Sequence, residues 1–185
     1  MYYLSKGVFI HQVETLIQVS HRGTVHSLIG ESSSLWLSGQ RGPRLVVKRT
    51  KCFDALVELG LVETTEETAE LARYRLLTNC IICPIKPYDR SCKPKTAQDQ
   101  AVLKWIRHAG LRLTVAELIY LAEKQVRPKT SILGKRNRQV LVETIYTTGN
   151  IADMVLETQM EHAQCRDHVV NAIYRLLNDN FIYLI

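Results

Sequence analysis

Long apolar runs are missing from this 185-residue chain. No stretch approaches the roughly eighteen consecutive apolar residues that a bilayer-spanning helix needs, so no membrane partner is expected. A basic N-terminal segment leading into an extended apolar core is also missing, and no signal peptide is expected. Proline is scarce, at 5 residues, and three of these fall within residues 84–98 among Lys, Arg, Ser and Asp, which marks that stretch as a linker. Neither sign of charge dominates. The formal net charge is +6, with thirteen Lys/Arg against ten Asp/Glu in residues 1–99 and eleven against eight in residues 100–185. Basicity spread this evenly suits a nucleic-acid binder without requiring one. The apolar share, 46%, is that of a folded globular chain and excludes wholesale disorder.

Catalytic constellations are absent as well. The serines of Gly30-Glu31-Ser32-Ser33-Ser34 lack the strand–elbow–helix setting of an esterase nucleophile. The histidines are dispersed, with His11, His21 and His26 on hairpin strands or turns and no paired carboxylates at ligand spacing. The chain is therefore read as a non-enzyme without cofactor. Five cysteines, an odd number without an export signal, point to a reducing cytoplasm. Cys80-x-x-Cys83 with Cys92 nearby is the one metal-like spacing, and Cys52 is the candidate fourth ligand. The intervening isoleucines read as a buried strand, whose alternation would turn Cys80 and Cys83 to opposite faces. Structural thiols are expected and a metal is not. Cys165 falls on the apolar face of its helix and is expected in the core.

Turning to what is present, residues 2–29 alternate and carry β-formers. Val8-Phe9-Ile10, Leu16-Ile17-Gln18-Val19 and Thr24–Ile29 read as strands, with His21-Arg22-Gly23 as the turn between the last two. Glu31 to Ser38 reads as a short helix with Leu35 and Trp36 inward. Gly39–Pro43 is a turn, and Leu45-Val46-Val47 is open to reading as a strand or as the start of the next helix. Lys51–Leu59 reads as a helix stopped by Gly60 at a left-handed C′ position, followed by a strand at Leu61-Val62. Thr64-x-x-Glu67 reads as a capping box opening a helix to Leu77. Beyond the linker, helices are expected at Ala101–His108, from a second capping box at Thr114-x-x-Glu117 to about Gln125, and at Arg138–Thr147. The run Phe53–Val62 echoes Asn171–Ile182: in both, an amphipathic helix ends at Gly or Asn and enters an apolar strand.

The last thirty-six residues, Asn150–Ile185, carry the most pattern. Asn150 is placed to cap a first helix. In the second, at about 164–178, Cys165, Val169, Ala172, Ile173 and Leu176 form an apolar stripe. Gln164, His168, Asn171 and Arg175 fall opposite, and these are side-chain types that reach base edges or phosphates in a major groove. Thr148-Gly149-Asn150-Ile151-Ala152-Asp153-Met154-Val155, followed by His168–Ile182, resembles a winged helix-turn-helix DNA-binding domain. That resemblance implies a support helix, a recognition helix and a wing strand, and a regulator that binds pseudo-palindromic duplex sites as a homodimer.

Arg127, Lys129, Lys135, Arg136 and Arg138 lie in a stretch without an acid, which suits contact with phosphates. A second basic cluster, Arg41, Arg44, Lys48, Arg49 and Lys51, precedes the helix of the first module. Residues 16–62 resemble the small PqqD-like winged-helix modules. In those, a hairpin followed by a helix, here Leu16–Ile29 then Glu31–Ser38 with Trp36, captures a peptide by strand addition.

The expected fold is α+β and helix-rich, with two tandem winged-helix-like modules and short β-hairpins. Residues 1–83 and 99–185 are the modules and 84–98 the linker. The expected function is sequence-specific double-stranded DNA binding. Gln164, His168, Asn171 and Arg175 would read the groove, and Arg127, Lys129, Lys135, Arg136 and Arg138 would hold phosphates. The alternative is a peptide- or protein-binding adaptor using the hairpin edge.

Overall fold

The computed structural model describes residues 1–85, 93–109, 112–129, 133, 138–146 and 153–185. The chain is α+β and helix-rich. It divides into two compact units, one of Met1–Cys80 with Tyr183–Ile185 and one of Ile81–Ile182.

The first unit begins with β1 (Tyr2–Ser5), and a meander follows of β2 (Val8–Val13), β3 (Leu16–His21) and β4 (Thr24–Leu28). These three strands form an antiparallel sheet in the order β2-β3-β4. Ile17, Val19 and His21 alternate with Leu16, Gln18 and Ser20, so one face of β3 is fully buried and the other half-exposed. The hairpin turn is Arg22-Gly23, both at positive φ (49° and 84°), the backbone a two-residue turn requires. Helix α1 (Glu31–Gly39), the two-residue strand β5 (Arg44–Leu45), α2 (Lys51–Glu58), β6 (Val62–Thr65) and α3 (Ala69–Thr78) complete the unit. A second sheet has the order β5-β1-β6.

The core gathers Tyr3, Ile17, Val19, Leu28, Trp36, Phe53, Leu56, Leu61 and Val62. Trp36 is fully buried because its one polar atom is satisfied: Nε1 donates to the Lys6 carbonyl at 2.9 Å. Gly39 is where α1 crosses β1. A β-carbon there would lie 2.5 Å from Ser5 Oγ and 2.6 Å from a ring carbon of Tyr3.

In the second unit, β7 (Ile82–Pro84) precedes α4 (Ala97–His108), α5 (Val115–Glu123), α6 (Arg138–Tyr146), α7 (Asp153–Glu161) and α8 (Arg166–Asn178); the chain then enters β8 (Ile182–Leu184), whose last two residues belong to the first unit. Helix α5 is buried from Val115 through Leu121 and contacts α6, α7 and α8. Its capping box is complete. Thr114 Oγ1 accepts from the Glu117 amide at 3.2 Å, and Glu117 Oε2 accepts from the Thr114 amide at 2.6 Å. The other carboxylate oxygen of Glu117 accepts from the Tyr146 hydroxyl at 2.7 Å, so one buried acid both starts α5 and pins α6.

Three helices end in the same way. Gly60 (φ 68°), Gln125 (φ 53°) and Asn180 (φ 56°) are left-handed C′ residues after α2, α5 and α8. In each case the next amide reaches back to the helix: Leu61 to Leu56, Val126 to Leu121 and Phe181 to Leu176, at 2.8–2.9 Å. This is the double-bonded αL stop that satisfies the last carbonyls. The echo between Phe53–Val62 and Asn171–Ile182 is thus a shared helix-stop-strand geometry.

Several expectations are corrected. Thr64 does not open a helix, because it lies in β6 paired with Tyr3, and α3 starts at Ala69 after the N-cap Thr68. Helix α4 starts four residues earlier than Ala101, capped by Thr96, whose side chain accepts from the Asp99 amide at 3.0 Å. Cys80 is not part of a strand with Cys83; its amide bonds the Leu77 carbonyl in the turn ending α3, and the strand starts at Ile82. Asn150 and the loop residues Lys135 and Arg136 lie outside the described residues.

Candidate functional site

Two surfaces compete as the site, one in each unit. In the second, α7 ends at Glu161 and α8 starts at Arg166, leaving the short turn His162–Cys165 between them. Gln164 is therefore in the turn, exposed, and not on the helix. Val169, Ile173 and Leu176 are buried as expected, and Val170, Ala172, Tyr174 and Leu177 join them. What remains outward on α8 is a polar stripe of His168, half-buried Asn171, Arg175 and Asn178, with half-buried Arg166 and exposed Asp167 at the helix start.

Arg175 is engaged within its own unit. Its Nε and Nη2 donate to Asp99 Oδ1 at 3.1 and 2.7 Å, and Nε also reaches Oδ2 at 3.1 Å. The arginine side chain is 46% exposed and the aspartate 3%. Burial alone would raise the Asp99 carboxyl pKa. Hydrogen bonds from Arg175 and Thr96 outweigh it and hold the carboxyl below the usual carboxylate range. The other cation of α8, Arg166, donates to Asp167 Oδ1 at 2.8 Å and to the Glu161 carbonyl at 2.7 Å. Both guanidinium groups of the helix are thus matched by local acceptors, and the stripe is polar without being strongly positive.

Of the expected phosphate contacts, Arg127 and Lys129 are exposed. Lys135 and Arg136 lie outside the described residues, as does the side chain of Arg138, the first residue of α6. In the N-terminal basic cluster, Arg44 donates to the Ser38 carbonyl at 2.9 Å, and Arg49 pairs with Asp54.

Among the described residues the thiols do not converge on a metal-binding group. Cys80 is buried and donates to the Leu76 carbonyl, and burial pushes its pKa up to about 12. Cys83 is buried in β7. Cys165 is half-buried at the N-cap of α8, not in the core, and its pKa is pushed up to about 12 by burial and by Glu123. Cys92 lies outside the described residues. Among the described residues, no three His, Cys, Asp or Glu side chains group at metal-binding distance. The described helices include none long and apolar enough to cross a membrane.

The second surface is the meander of the first unit. Val13, Val25 and Ile29 are 58%, 55% and 63% exposed, and Phe9 and Ile10 also stand open. Val25 pairs with Ser20, on the half-exposed face of β3. The two edges of the sheet differ. On β2 the pairing register shifts between Phe9 and His11, a bulge that bends the edge. Strand β4 runs in unbroken register from Ile17↔Leu28 to His21↔Thr24, with no proline and no Lys, Arg, Asp or Glu. Natural edge strands are normally blunted by such devices. Among the described residues nothing pairs with the outer side of β4.

Reasoning from sequence overlooked the burial of His21. It is 4% exposed, and Nδ1 has no hydrogen-bond partner among the described residues. Burial, then the charges of Arg22 and Lys6 and the neighbouring His26, lower its pKa to about 4, so it is neutral at pH 7. The signal was available, because His21 continues the buried alternation of Ile17 and Val19. Lys6, close by, is itself buried and donates to Glu63 Oε2 at 2.8 Å.

Comparison with protein-family models, with curated proteins and with solved structures finds no match to this chain.

Proposed function

We propose that the chain is a non-enzymatic adaptor that captures an extended peptide as an added strand along the outer edge of β4. The observation that carries this reading is the unprotected edge of β4 beside the exposed Val25 and Ile29. Strand addition draws affinity from backbone hydrogen bonds and specificity from alternate side chains, and it needs a rigid sheet behind the edge. The buried face of β3, with Ile17 and Val19 in the core, supplies that rigidity. Residues 16–29 contain Arg22 and no acid, which favours a neutral or acidic peptide with apolar residues at alternate positions. A reducing cytosol suits a chain with an odd number of cysteines, five.

The test is selection from a displayed library of random twelve-residue peptides, counter-selected on Val25→Lys, which places a charge on the edge. Selected peptides should bind the parent chain and lose most of their affinity for the variant. Backbone N-methylation at alternate residues should abolish binding. Selected peptides that tolerate both changes would refute strand addition.

Duplex DNA binding is the second reading, favoured by the outward stripe of α8. On this reading His168, Asn171 and Gln164 approach base edges, while Arg175 is held by Asp99. Arg127 and Lys129, with Lys135, Arg136 and Arg138, meet phosphates, and a homodimer supplies the second half-site. Anisotropy with duplex fragments at several salt concentrations tests it. A log–log slope of about −2 to −4 and a loss on Asn171→Ala are expected if it holds; affinity that ignores salt rules it out.

A further inference from the structure

The second unit contains a half-open cavity of about 300 Å³, separate from the polar stripe of α8. Its walls are apolar: Val102 and Trp105 from α4, Leu118 from α5 and Val169 from α8, all buried residues. Its mouth is polar. Gln98, Gln125 and Arg127 line it, and none of these side chains has a hydrogen-bond or ionic partner among the described residues. Among the described residues that line the cavity, Arg127 is the only charged side chain and none is an acid. We propose that this cavity binds a small, largely apolar carboxylic acid, its hydrocarbon part against Trp105 and its carboxylate at Arg127.

The size lies at the small end of ligand pockets, which pair apolar walls with a few placed polar groups. Hydrocarbon bound there would remove from water the apolar surface that the half-open cavity exposes, a hydrophobic gain. At the mouth, a guanidinium beside two free carboxamides is a donor set for a carboxylate. A neutral guest would gain no charge-assisted contact from Arg127, and a cation would be repelled.

Gln125 supplies an independent argument. It is the left-handed C′ residue of α5, at φ 53°. At the matching stops after α2 and α8 the residues are Gly60 and Asn180, which tolerate this conformation best. Glycine would end α5 with less strain, yet this position carries a long amide residue that lines the cavity. A purely structural cap does not call for that side chain; a ligand-contacting one does. The proposal depends on neither the peptide-edge nor the DNA reading.

The experiment is isothermal titration of the full chain with 2-naphthoate, octanoate and the neutral 2-naphthylmethanol. Saturable one-to-one binding of at least one acid is expected, with the alcohol about tenfold or more weaker than naphthoate. Arg127→Gln should bring naphthoate down to the level of the alcohol. Gln125→Gly should weaken acid binding while leaving the melting temperature unchanged or higher, which a structural role for Gln125 would not do. Ala101→Trp, on the cavity wall, should abolish binding with helical content retained by circular dichroism; if that variant does not fold, the Arg127 and Gln125 variants decide. Absence of saturable acid binding up to about 1 mM, a Kd that a functional pocket should surpass, would overturn the proposal. Equal affinity for acid and alcohol, or a preference unchanged in Arg127→Gln, would overturn it as well.

Discussion

Arg175 on α8 and Asp99 on α4 are joined by hydrogen bonds from both Nε and Nη2, across seventy-six positions of sequence. The pair fastens the two helices at their polar margin, and it ties down the one arginine on the outward stripe of α8, whose side chain stays 46% exposed. A guanidinium committed to a nearly buried carboxylate is a packing element first.

Removing the arginine should therefore be a stability defect. Arg175→Ala leaves Asp99 buried with only its Thr96 hydrogen bonds, which costs about 2–3 kcal/mol once the arginine's partial exposure is allowed for. Asp99→Asn/Arg175→Gln together should recover much of that loss, because both charges are gone. Urea unfolding at pH 7 measures each. The Asp99 pKa is depressed in the folded chain, so its stabilising contribution is present above the unfolded carboxyl pKa. It is lost as pH falls through the lower folded value.

His21 acts over a different pH window. Its folded pKa of about 4 lies below the unfolded 6.5, so the unfolded state takes up the proton first as pH falls. Stability is undiminished above pH 6.5 and declines toward pH 4. By pH 4.5 the wild type should have lost about 2–3 kcal/mol relative to His21→Leu, compared with pH 7.5. Urea midpoints of the two proteins at both pH values measure the difference; parallel loss in both would show that His21 titrates normally.

Gly39→Ala should destabilise the first unit even though alanine is the better helix former. The added methyl would sit 2.5–2.6 Å from Ser5 and Tyr3, on the strand that α1 crosses. Overpacking of this kind costs about 1–3 kcal/mol, more than the helix preference of up to about 1 kcal/mol returns. A lowered melting temperature with unchanged helical content is the expected result.

The shared helix stops make a paired prediction. Gly60→Ala forces a β-carbon into the left-handed region and should cost about 1 kcal/mol, whereas Asn180→Gly should be neutral or slightly stabilising. Thermal melts of the two variants compare the sites directly.

Much of the local structure was legible in the sequence. Alternation located the three strands of the meander, and Gly60 marked the end of α2. Identical-looking signals nevertheless had different outcomes. Thr114-x-x-Glu117 is a true capping box, while Thr64-x-x-Glu67 is consumed by pairing of Thr64 with Tyr3. Nothing local to Thr64 separates the two; a strand sixty residues away does. The same holds for the site. The helical wheel placed Arg175 outward correctly, but its acceptor, Asp99, lies on another helix and leaves no trace in the local pattern. The cavity mouth at Gln98, Gln125 and Arg127 likewise forms only when α4 and the end of α5 are brought together. His21 is the opposite case, since its place in the buried alternation was visible and simply outweighed by its polarity.

If β4 is a docking edge, amide hydrogen exchange at residues 24–28, compared with and without a selected peptide, will show it. Slowed exchange at alternate amides of β4, with β2 unchanged, is the predicted result. Protection confined to β2 or to α8, or none in either unit on saturation with peptide, would contradict it.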